Sequence, residues 1–146
     1  MKDKYKKYIE YIAKDIELPY IHNMVNQYGL KQDEMNLVLG IVFNQPVHYF
    51  EPMHGVYNKD KVSIYHERSD GNWYKQEYDS NGNKIYHETS NGYWCKYEYN
   101  TNGNKIYYEN SDGYWSKSVY DNNGNKIYHE NSRGYTYGNK LLIEYE

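Results

Sequence analysis

The sequence of 146 residues contains one cysteine, Cys95, and no long apolar run. A single cysteine cannot form an internal disulfide, and it offers no metal-knuckle spacing. The longest apolar stretch, around Leu37 to Phe43, contains Gly40 and is far shorter than the roughly 20 residues that a membrane-spanning helix needs. No apolar segment follows the lysines near the start of the sequence, so we expect neither a secretory signal nor a membrane span.

Motifs for catalysis and a basic surface are also missing. The sequence has no P-loop, no G-x-S-x-G and no H-E-x-x-H motif, so we expect no enzymatic activity, no cofactor and no metal ion. Lys and Arg number 17 against 20 Asp and Glu, a net charge of -3. Because phosphate contacts supply most of the affinity of nucleic-acid binders, nucleic acid is not an expected partner.

Apolar residues other than tyrosine are scarce. There are 22 Tyr against two Phe, and the mean hydropathy is -1.15. The length allows one compact domain, or one small domain with a repeat array, and excludes a second large domain.

The strongest feature that is present is a repeat of 21 residues. A fixed period of this length is the signature of a repeat architecture. Three full units and a truncated fourth cover roughly residues 64–141, and Tyr57 falls in phase before them. We call residues at equivalent positions of successive units a column. The most regular columns are Gly71, Gly92, Gly113 and Gly134; Gly82, Gly103 and Gly124; Ile64, Ile85, Ile106 and Ile127; Glu67, Glu88, Glu109 and Glu130; and Trp73, Trp94 and Trp115.

Each unit predicts two short strands and two tight turns. In one unit, the strands are residues 84–88 and 93–99, and the turns are residues 89–92 and 100–104. Asn-Gly and Asp-Gly between aromatic runs are strong hairpin signals because both residues tolerate positive φ.

Period-2 alternation divides the second strand of a unit into two faces. One face carries Tyr93, Cys95, Tyr97 and Tyr99, and the other carries Trp94, Lys96 and Glu98. Neither face is cleanly apolar, which favours a meandering sheet with stacked aromatic rows over a sandwich. The predicted fold class is therefore α+β, a short helical N-terminal cap followed by an elongated antiparallel sheet of stacked 21-residue hairpin repeats.

The first 45 residues have helical periodicity. Apolar residues between Tyr5 and Ile16 predict a first helix that stops at Pro19, and those from Ile21 to Tyr28 predict a second. A third helix is predicted to begin with acidic residues at 33 and 34 and to end before Pro46. We assign residues 1–45 to the cap, 46–62 to a linker with a degenerate half-repeat, and 63–146 to the hairpin repeats.

Tyr28-Gly29-Leu30 between two predicted helices permits a helix-turn-helix interpretation. The would-be recognition helix, residues 31–39, offers one lysine against two acids and would repel phosphate. A helical cap that shields the sheet is the favoured interpretation, with DNA binding through this segment as an alternative.

A histidine column and Cys95 are the remaining candidates for chemistry. His66, His87 and His129 fall in phase, each followed by Glu, while Tyr108 interrupts the series. Such a column could ligate a metal, but duplication of the unit repeats residues in any case, so we favour an exposed polar column. We interpret Cys95 as a packing residue.

Aromatic density favours a binding role. Seventeen tyrosines and all three tryptophans follow residue 46, and Tyr and Trp dominate binding hot spots. The candidate partner-binding residues are Trp73, Trp94, Trp115, Tyr78, Tyr99, Tyr120, Tyr97, Tyr86 and Tyr107.

The segment Tyr-Asp-Asn-Asn-Gly-Asn-Lys-Ile-Tyr-His-Glu-Asn-Ser, residues 120–132, resembles the units of tandem β-hairpin proteins. The nearest families are the variant MORN repeats and the YD repeats of Rhs-type proteins, and the resemblance covers about residues 57–141. Similar arrays occur in small phage-encoded proteins of unknown function. MORN resemblance implies a sheet used for protein association or membrane contact, and YD resemblance implies carbohydrate binding or shell formation. The MORN glycine pattern is missing here, so only the architecture is carried over.

These observations lead to one functional hypothesis, with two alternatives besides the DNA binding considered above. We expect a non-enzymatic interaction protein, phage or prophage encoded and cytoplasmic in a bacterial host, that presents its Tyr/Trp-rich face to a host protein. Inhibition of a bacterial defence or regulatory protein is the specific role expected. The alternatives are glycan binding and self-assembly through edge strands as a virion-associated structural protein.

Overall fold

A computed structural model describes residues 30–50 and 55–142. These residues form one α-helix, ten β-strands and a three-residue 3₁₀ helix. The helix α1 is Gln32–Val42, and the 3₁₀ helix is Lys140–Leu142. The strands are β1 (Val47–Phe50), β2 (Gly55–Asn58), β3 (Ser63–Glu67), β4 (Trp73–Tyr78), β5 (Lys84–Thr89), β6 (Trp94–Tyr99), β7 (Lys105–Asn110), β8 (Trp115–Tyr120), β9 (Lys126–Asn131) and β10 (Thr136–Gly138).

The strands form an antiparallel sheet in sequence order. The predicted α+β class and the tandem β-hairpin architecture are thereby confirmed. The first two predicted helices lie outside the described residues. No helix in the described ranges is long and apolar enough to cross a membrane.

The turns between successive strands from β2 to β10 share one geometry, which the turn at residues 79–83 illustrates. The Gly82 N–H donates to the Asp79 carbonyl at 3.1 Å, and the Asp79 N–H donates to the Asn83 carbonyl at 2.9 Å. Gly82 has φ +83°, so the pattern is that of a type I turn followed by a G1 bulge. Only the glycine of each Asn-Gly pair takes positive φ, because Asn44 and Lys61 are the only non-glycine residues with positive φ in the described ranges.

Three of the isoleucines that head the units lie at β-bulges. Across β8 and β9, Val119 pairs with Tyr128 while Tyr120 pairs with Lys126, so Ile127 has no counterpart. The same shift leaves Ile106 unmatched between β6 and β7, and Ile64 unmatched between β2 and β3. A bulge bends the strand and increases its twist, which gives the recurring isoleucine a structural role at the start of the strand.

The chain divides into two compact units, residues 1–75 and 76–146. In the first, α1 runs close to the predicted bounds: the Glu34 carboxylate accepts from the Lys31 N–H at 3.0 Å, and the helix ends ahead of Asn44, whose φ is 51°. The prediction of a third helix that ends before Pro46 is confirmed. The segment 46–62, expected as a linker with a half-repeat, holds β1 and β2.

Helix α1 packs on β1 and contributes to the buried core of the first unit. The Asn36 Oδ1 accepts from the Tyr49 N–H at 2.7 Å, and the Gln32 side-chain amide donates to the Tyr49 carbonyl. The six most buried large side chains, all below 2% exposed, come equally from the helix and from the first three strands. They are Met35, Val38, Leu39, Tyr49, Val56 and Tyr65.

The second unit has little core. Within its described part, the buried side chains are Cys95, Ser118 and Tyr128. Most other strand residues are half-buried, as expected where none of the described residues forms a second layer over the sheet. Its side chains therefore contact neighbours along and across the strands, and these contacts define two surfaces.

Candidate functional site

The hairpins of the second unit place sets of four side chains together on one face. Across β7 and β8, Glu109 pairs with Trp115 and Tyr107 pairs with Lys117. Across β5 and β6, Glu88 pairs with Trp94, and Tyr86 with Lys96, in the same register. We call these two sets the quartets, and the surface that they form the tryptophan face. Its residues are Tyr86, Glu88, Trp94, Lys96, Tyr107, Glu109, Trp115 and Lys117.

Each quartet is ordered by one hydrogen bond and one cation–π contact. The Tyr107 hydroxyl donates to the Glu109 carboxylate at 3.4 Å, and the Lys117 Nζ lies 5.5 Å from the centre of the Trp115 ring. The other quartet repeats both contacts, at 3.2 Å and 5.0 Å. Burial, followed by the neighbouring glutamates, raises the pKa of Tyr86 and of Tyr107. The phenols therefore stay neutral and remain donors.

The quartet lysines are register partners of glutamates on the next strand. Lys96 pairs with Glu109 across β6 and β7, and Lys117 pairs with Glu130 across β8 and β9. Opposite-charge cross-strand pairs are stabilising. The tryptophan face is therefore a near-neutral surface of rigid aromatic groups, each half-buried, with lysines and glutamates between them.

The other face of the second unit carries a tyrosine cluster. The Tyr97 and Tyr108 ring centres lie 5.3 Å apart, and those of Tyr108 and Tyr114 lie 6.0 Å apart. The hydroxyl groups of Tyr93 and Tyr108 share a hydrogen bond of 3.0 Å, and the Lys105 Nζ lies 4.5 Å from the Tyr97 ring centre. We call this surface the tyrosine face.

A polar cleft of about 460 Å³ opens beside this cluster. Tyr108 and Tyr114 supply its aromatic wall, and Asn110, Asn131 and Arg133 contribute polar groups. The Arg133 guanidinium lies 5.3 Å from the Tyr114 ring centre.

Strand alternation separates the nine predicted partner-binding residues. Trp94, Trp115, Tyr86 and Tyr107 come together on the tryptophan face. Three others lie on the tyrosine face, since they alternate with tryptophan-face residues in β6 and β8; these are Tyr97, Tyr99 and Tyr120.

The remaining two predicted residues lie on β4, ahead of the strands that carry the two quartets. The Tyr78 hydroxyl donates to the Gln76 side chain at 3.0 Å. Trp73 belongs to the first unit, where its ring centre lies 6.2 Å from that of Tyr65. The nine residues therefore do not form one continuous surface.

The histidine column makes ordinary packing contacts. The His66 and Tyr74 ring centres lie 5.4 Å apart, and His129 shares a 2.8 Å hydrogen bond with Ser118. Burial, and secondarily Lys84, lowers the pKa of His87. Within residues 30–50 and 55–142, no group of three or more His, Cys, Asp or Glu could hold a metal ion. Cys95 is buried, and its thiol donates to the Tyr97 hydroxyl at 3.1 Å.

Helix α1 offers no basic surface for nucleic acid. Its first turn holds Asp33 and Glu34, and its last turn has no basic residue. Its inner side is buried in the core of the first unit.

The charged members of the quartets and the cleft residue Arg133 were missed by sequence reasoning. Strand alternation puts the glutamates and lysines on the same face as the tryptophans, and they recur with the same 21-residue period. The repeat columns of the sequence therefore already contained the signal for the quartets. Arg133 occurs in one turn only, and no repeat column could identify it.

No protein-family model matches the chain, and no curated protein is significantly similar to it. The likeness to MORN and YD repeats therefore stays a prediction beyond the hairpin architecture.

Proposed function

We propose that this chain is a non-enzymatic interaction protein that binds a host protein through the tryptophan face of its second unit. The observation that supports this most is the repetition of the quartet in the same register on β5–β6 and β7–β8. Two aligned sets of Trp and Tyr side chains offer a large contact area at low cost in side-chain entropy. The surrounding Lys and Glu residues provide a polar rim of both signs, which is typical of protein interfaces.

The proposed setting is a bacterial host cell, with the chain encoded by a phage or prophage. This part rests on the resemblance of the repeat units to those of small phage proteins. Binding through a preformed face requires no chemistry from the chain itself, so occlusion of a host defence or regulatory protein is the proposed mode of action.

Affinity capture from bacterial lysate tests the proposed function. The intact chain is compared with a Trp94→Thr/Trp115→Thr variant, because the fourth unit already carries Thr136 at the same repeat position. A Tyr135→Ser/Tyr137→Ser variant is the matched control, since it removes two exposed aromatic groups away from the tryptophan face. Circular dichroism checks that each variant is folded.

The expected result is a host protein captured by the intact chain and by the control, and lost with the tryptophan variant. Equal capture by all three chains, or no specific capture from any lysate tested, would count against the proposal.

Glycan binding is the second candidate, and the cleft beside the tyrosine cluster supports it. Aromatic walls with amide and guanidinium groups at one edge are suited to a sugar ring, which stacks on the aromatic group and forms hydrogen bonds at its rim. A glycan array with the intact chain and a Tyr114→Ala variant tests this candidate. Binding of a sugar that is lost in the variant would favour it, and an array without hits would remove it.

A further inference from the structure

Charge is divided unevenly between the two faces of strands β6 to β9. Register partners share a face of the sheet, so the pairing assigns the charged residues. The tryptophan face of these strands carries two lysines and three glutamates, which are Glu98, Glu109 and Glu130. The tyrosine face carries Lys105 opposite Tyr99 and Lys126 opposite Tyr120, and no acidic residue of these four strands pairs on it. The tyrosine face therefore favours an anionic ligand.

A row of three tyrosine rings on this face has a cation at each end. The Tyr108 ring lies between those of Tyr97 and Tyr114. The Lys105 Nζ contacts the Tyr97 ring, and the Arg133 guanidinium contacts the Tyr114 ring at the cleft. An arginine that stacks on a ring still presents its N–H groups to an acceptor, so the row ends in a preformed anion-binding group.

The charge of Arg133 is available to a ligand, unlike that of the other arginine in the chain. Arg68 forms an ion pair with Asp70 at 3.6 Å. Arg133 stands at the repeat position that Asp70 and Asp112 occupy in their own units. Within the described part of the chain it forms no ion pair. The fourth unit thus replaces an acidic or amide side chain with an uncompensated guanidinium.

The amide and guanidinium groups of the cleft offer donors rather than acceptors. The Asn110 Oδ1 accepts from the Asp112 and Tyr114 N–H groups, both at 3.1 Å. The Asn131 Oδ1 accepts from the Arg133 N–H at 3.0 Å. The Asn131 side-chain NH₂ and the Arg133 guanidinium donate to none of the described residues. Both groups can therefore donate to a ligand.

These donors fit a carboxylate better than a phosphate. A guanidinium matches a carboxylate with two parallel hydrogen bonds. Phosphate sites commonly use the free backbone N–H groups of a nest or a helix N-terminus. Here the backbone N–H groups of residues 110–114 and 131–135 all donate to asparagine side chains or to backbone carbonyls. The anion that the cleft can bind through side chains alone is a carboxylate.

The rest of the cleft suits a sugar ring. Its volume of about 460 Å³ lies within the roughly 300–1,000 Å³ of small-molecule sites, and the half-buried Tyr114 ring offers a surface for stacking. Asp112 also lines the cleft and is exposed, so its carboxylate can accept from a ligand hydroxyl. A sugar acid supplies both a carboxylate for Arg133 and hydroxyl groups for Asp112, whereas a simple anion supplies only the first.

We propose that the cleft binds an acidic saccharide, a sugar ring that carries a carboxylate group. This inference deepens the second candidate function, glycan binding, and rests on it. The sugar carboxylate accepts from the Arg133 guanidinium and the Asn131 amide, and the ring packs on Tyr114. A longer acidic chain would extend along the tyrosine row toward Lys105.

A glycan array that presents each acidic glycan beside its neutral counterpart tests this inference on the intact chain. The acidic members are oligosaccharides of uronic acids and of sialic acid, and the neutral members are the methyl esters of the same sugars. The acidic glycan with the strongest signal and its methyl ester are titrated by calorimetry. An oligothymidylate of about ten nucleotides is titrated as an anion that lacks a sugar carboxylate.

Arg133→Asn and Arg68→Asn form a matched pair of variants, since each removes one arginine and one positive charge. The repeat itself supplies both replacements: Asn91 stands at the position of Arg133, and Asn110 at the position of Arg68. Arg133→Lys keeps the charge and removes the planar pair of donors. Circular dichroism checks that each variant is folded.

The expected outcome is binding of the acidic glycan and not of its methyl ester, with an affinity that falls as ionic strength rises. Arg133→Asn should weaken binding by about tenfold or more, Arg133→Lys should weaken it less, and Arg68→Asn should leave it unchanged. Equal binding of acid and ester, or an equal loss with both arginine-to-asparagine variants, would overturn the inference. Binding of oligothymidylate as tight as that of the glycan would also overturn it, by assigning the face to nucleic acid.

The inference and the candidate function on which it rests fail separately. If the array yields only neutral glycans, and their binding is lost in Tyr114→Ala, glycan binding at the cleft stands and the acidic ligand is wrong. If the array yields no glycan, both are wrong. Neither result bears on the host protein proposed for the tryptophan face, which the capture experiment tests by itself.

Discussion

The Tyr93 hydroxyl and the Tyr108 hydroxyl share a hydrogen bond of 3.0 Å on the tyrosine face. Tyr108 also contacts the rings of Tyr97 and Tyr114. It stands where the neighbouring units carry histidine. The residue that interrupts the histidine column is thus the centre of the aromatic cluster.

Restoring the column with Tyr108→His should destabilise the second unit. The variant loses the hydrogen bond to Tyr93 and two ring contacts, for an expected loss of about 2 kcal/mol in the free energy of unfolding. Tyr108→Phe keeps the ring contacts and should lose about 1 kcal/mol. Urea unfolding followed by tryptophan fluorescence measures both values. A histidine variant as stable as the parent chain would show that the cluster contributes nothing.

Much of the fold could be predicted because its determinants are local. Glycine at a fixed phase closes the repeat turns, with Asp or Asn three residues earlier in five of the seven. Period-2 alternation makes Trp94 and Cys95 point to opposite faces of the sheet. The same alternation separates Tyr97 from Trp94, so the nine candidate residues could have been divided between two faces from the sequence.

Other features depend on contacts that the sequence pattern does not reveal. Ile127 marks the start of a unit in the sequence, but its position at a bulge follows from how β8 and β9 pair. In α1, Leu37 and Ile41 are 46% and 48% exposed while Leu39 is 1% exposed. All three are apolar, and packing against β1 decides which of them is buried.

Glycine substitutions should separate backbone strain from steric collision. At Gly103, with φ +80°, an added Cβ meets nothing within 4 Å, so Gly103→Ala should cost only the strain of the left-handed conformation, about 1–2 kcal/mol. At Gly138, with φ +83°, the Cβ would collide with the backbone carbonyl of Ile127. That backbone cannot yield without disrupting the pairing of β9 with β10.

Hydrogen exchange distinguishes the two variants. Gly138→Ala should lose amide protection in β10 and in the residues of β9 that pair with it, Tyr128, His129 and Glu130. Gly103→Ala should lower the thermal midpoint and keep that protection. Unchanged protection of β10 in Gly138→Ala would contradict the close approach at this glycine.

Two turn aspartates should make stability depend on acidic pH. The Asn83 side-chain amide, followed by its backbone N–H, lowers the pKa of Asp79, and Asn125 lowers the pKa of Asp121 in the same way. A pKa lowered by folding adds stability above the unfolded value, near pH 4, and that stability is lost as the pH falls through the folded value.

The Asp79→Asn/Asp121→Asn variant should therefore show a flatter fall of the thermal midpoint below about pH 4. The chain itself tolerates Asn100 at the same position of the intervening turn, where its Oδ1 accepts from Asn102 and Asn104. Asp112→Asn is the control, because in that turn Asn110 accepts the corresponding hydrogen bonds. If the control flattens the pH profile as much as the double variant, the turn carboxylates are not the cause.

Cys95 should be a slow-reacting thiol in the folded chain. It is 3% exposed, and thiol reagents need access to the thiolate, so its reaction should be at least about tenfold slower in the native chain than in denaturant. Cys95→Ser should cost about 1 kcal/mol or less, since Ser116 occupies the same column one repeat later. Adding Ser116→Cys in that background moves the thiol to a half-buried position and should speed its reaction. Equal rates for the two thiols would mean that the sheet opens before either reacts, and that the burial of Cys95 does not protect it.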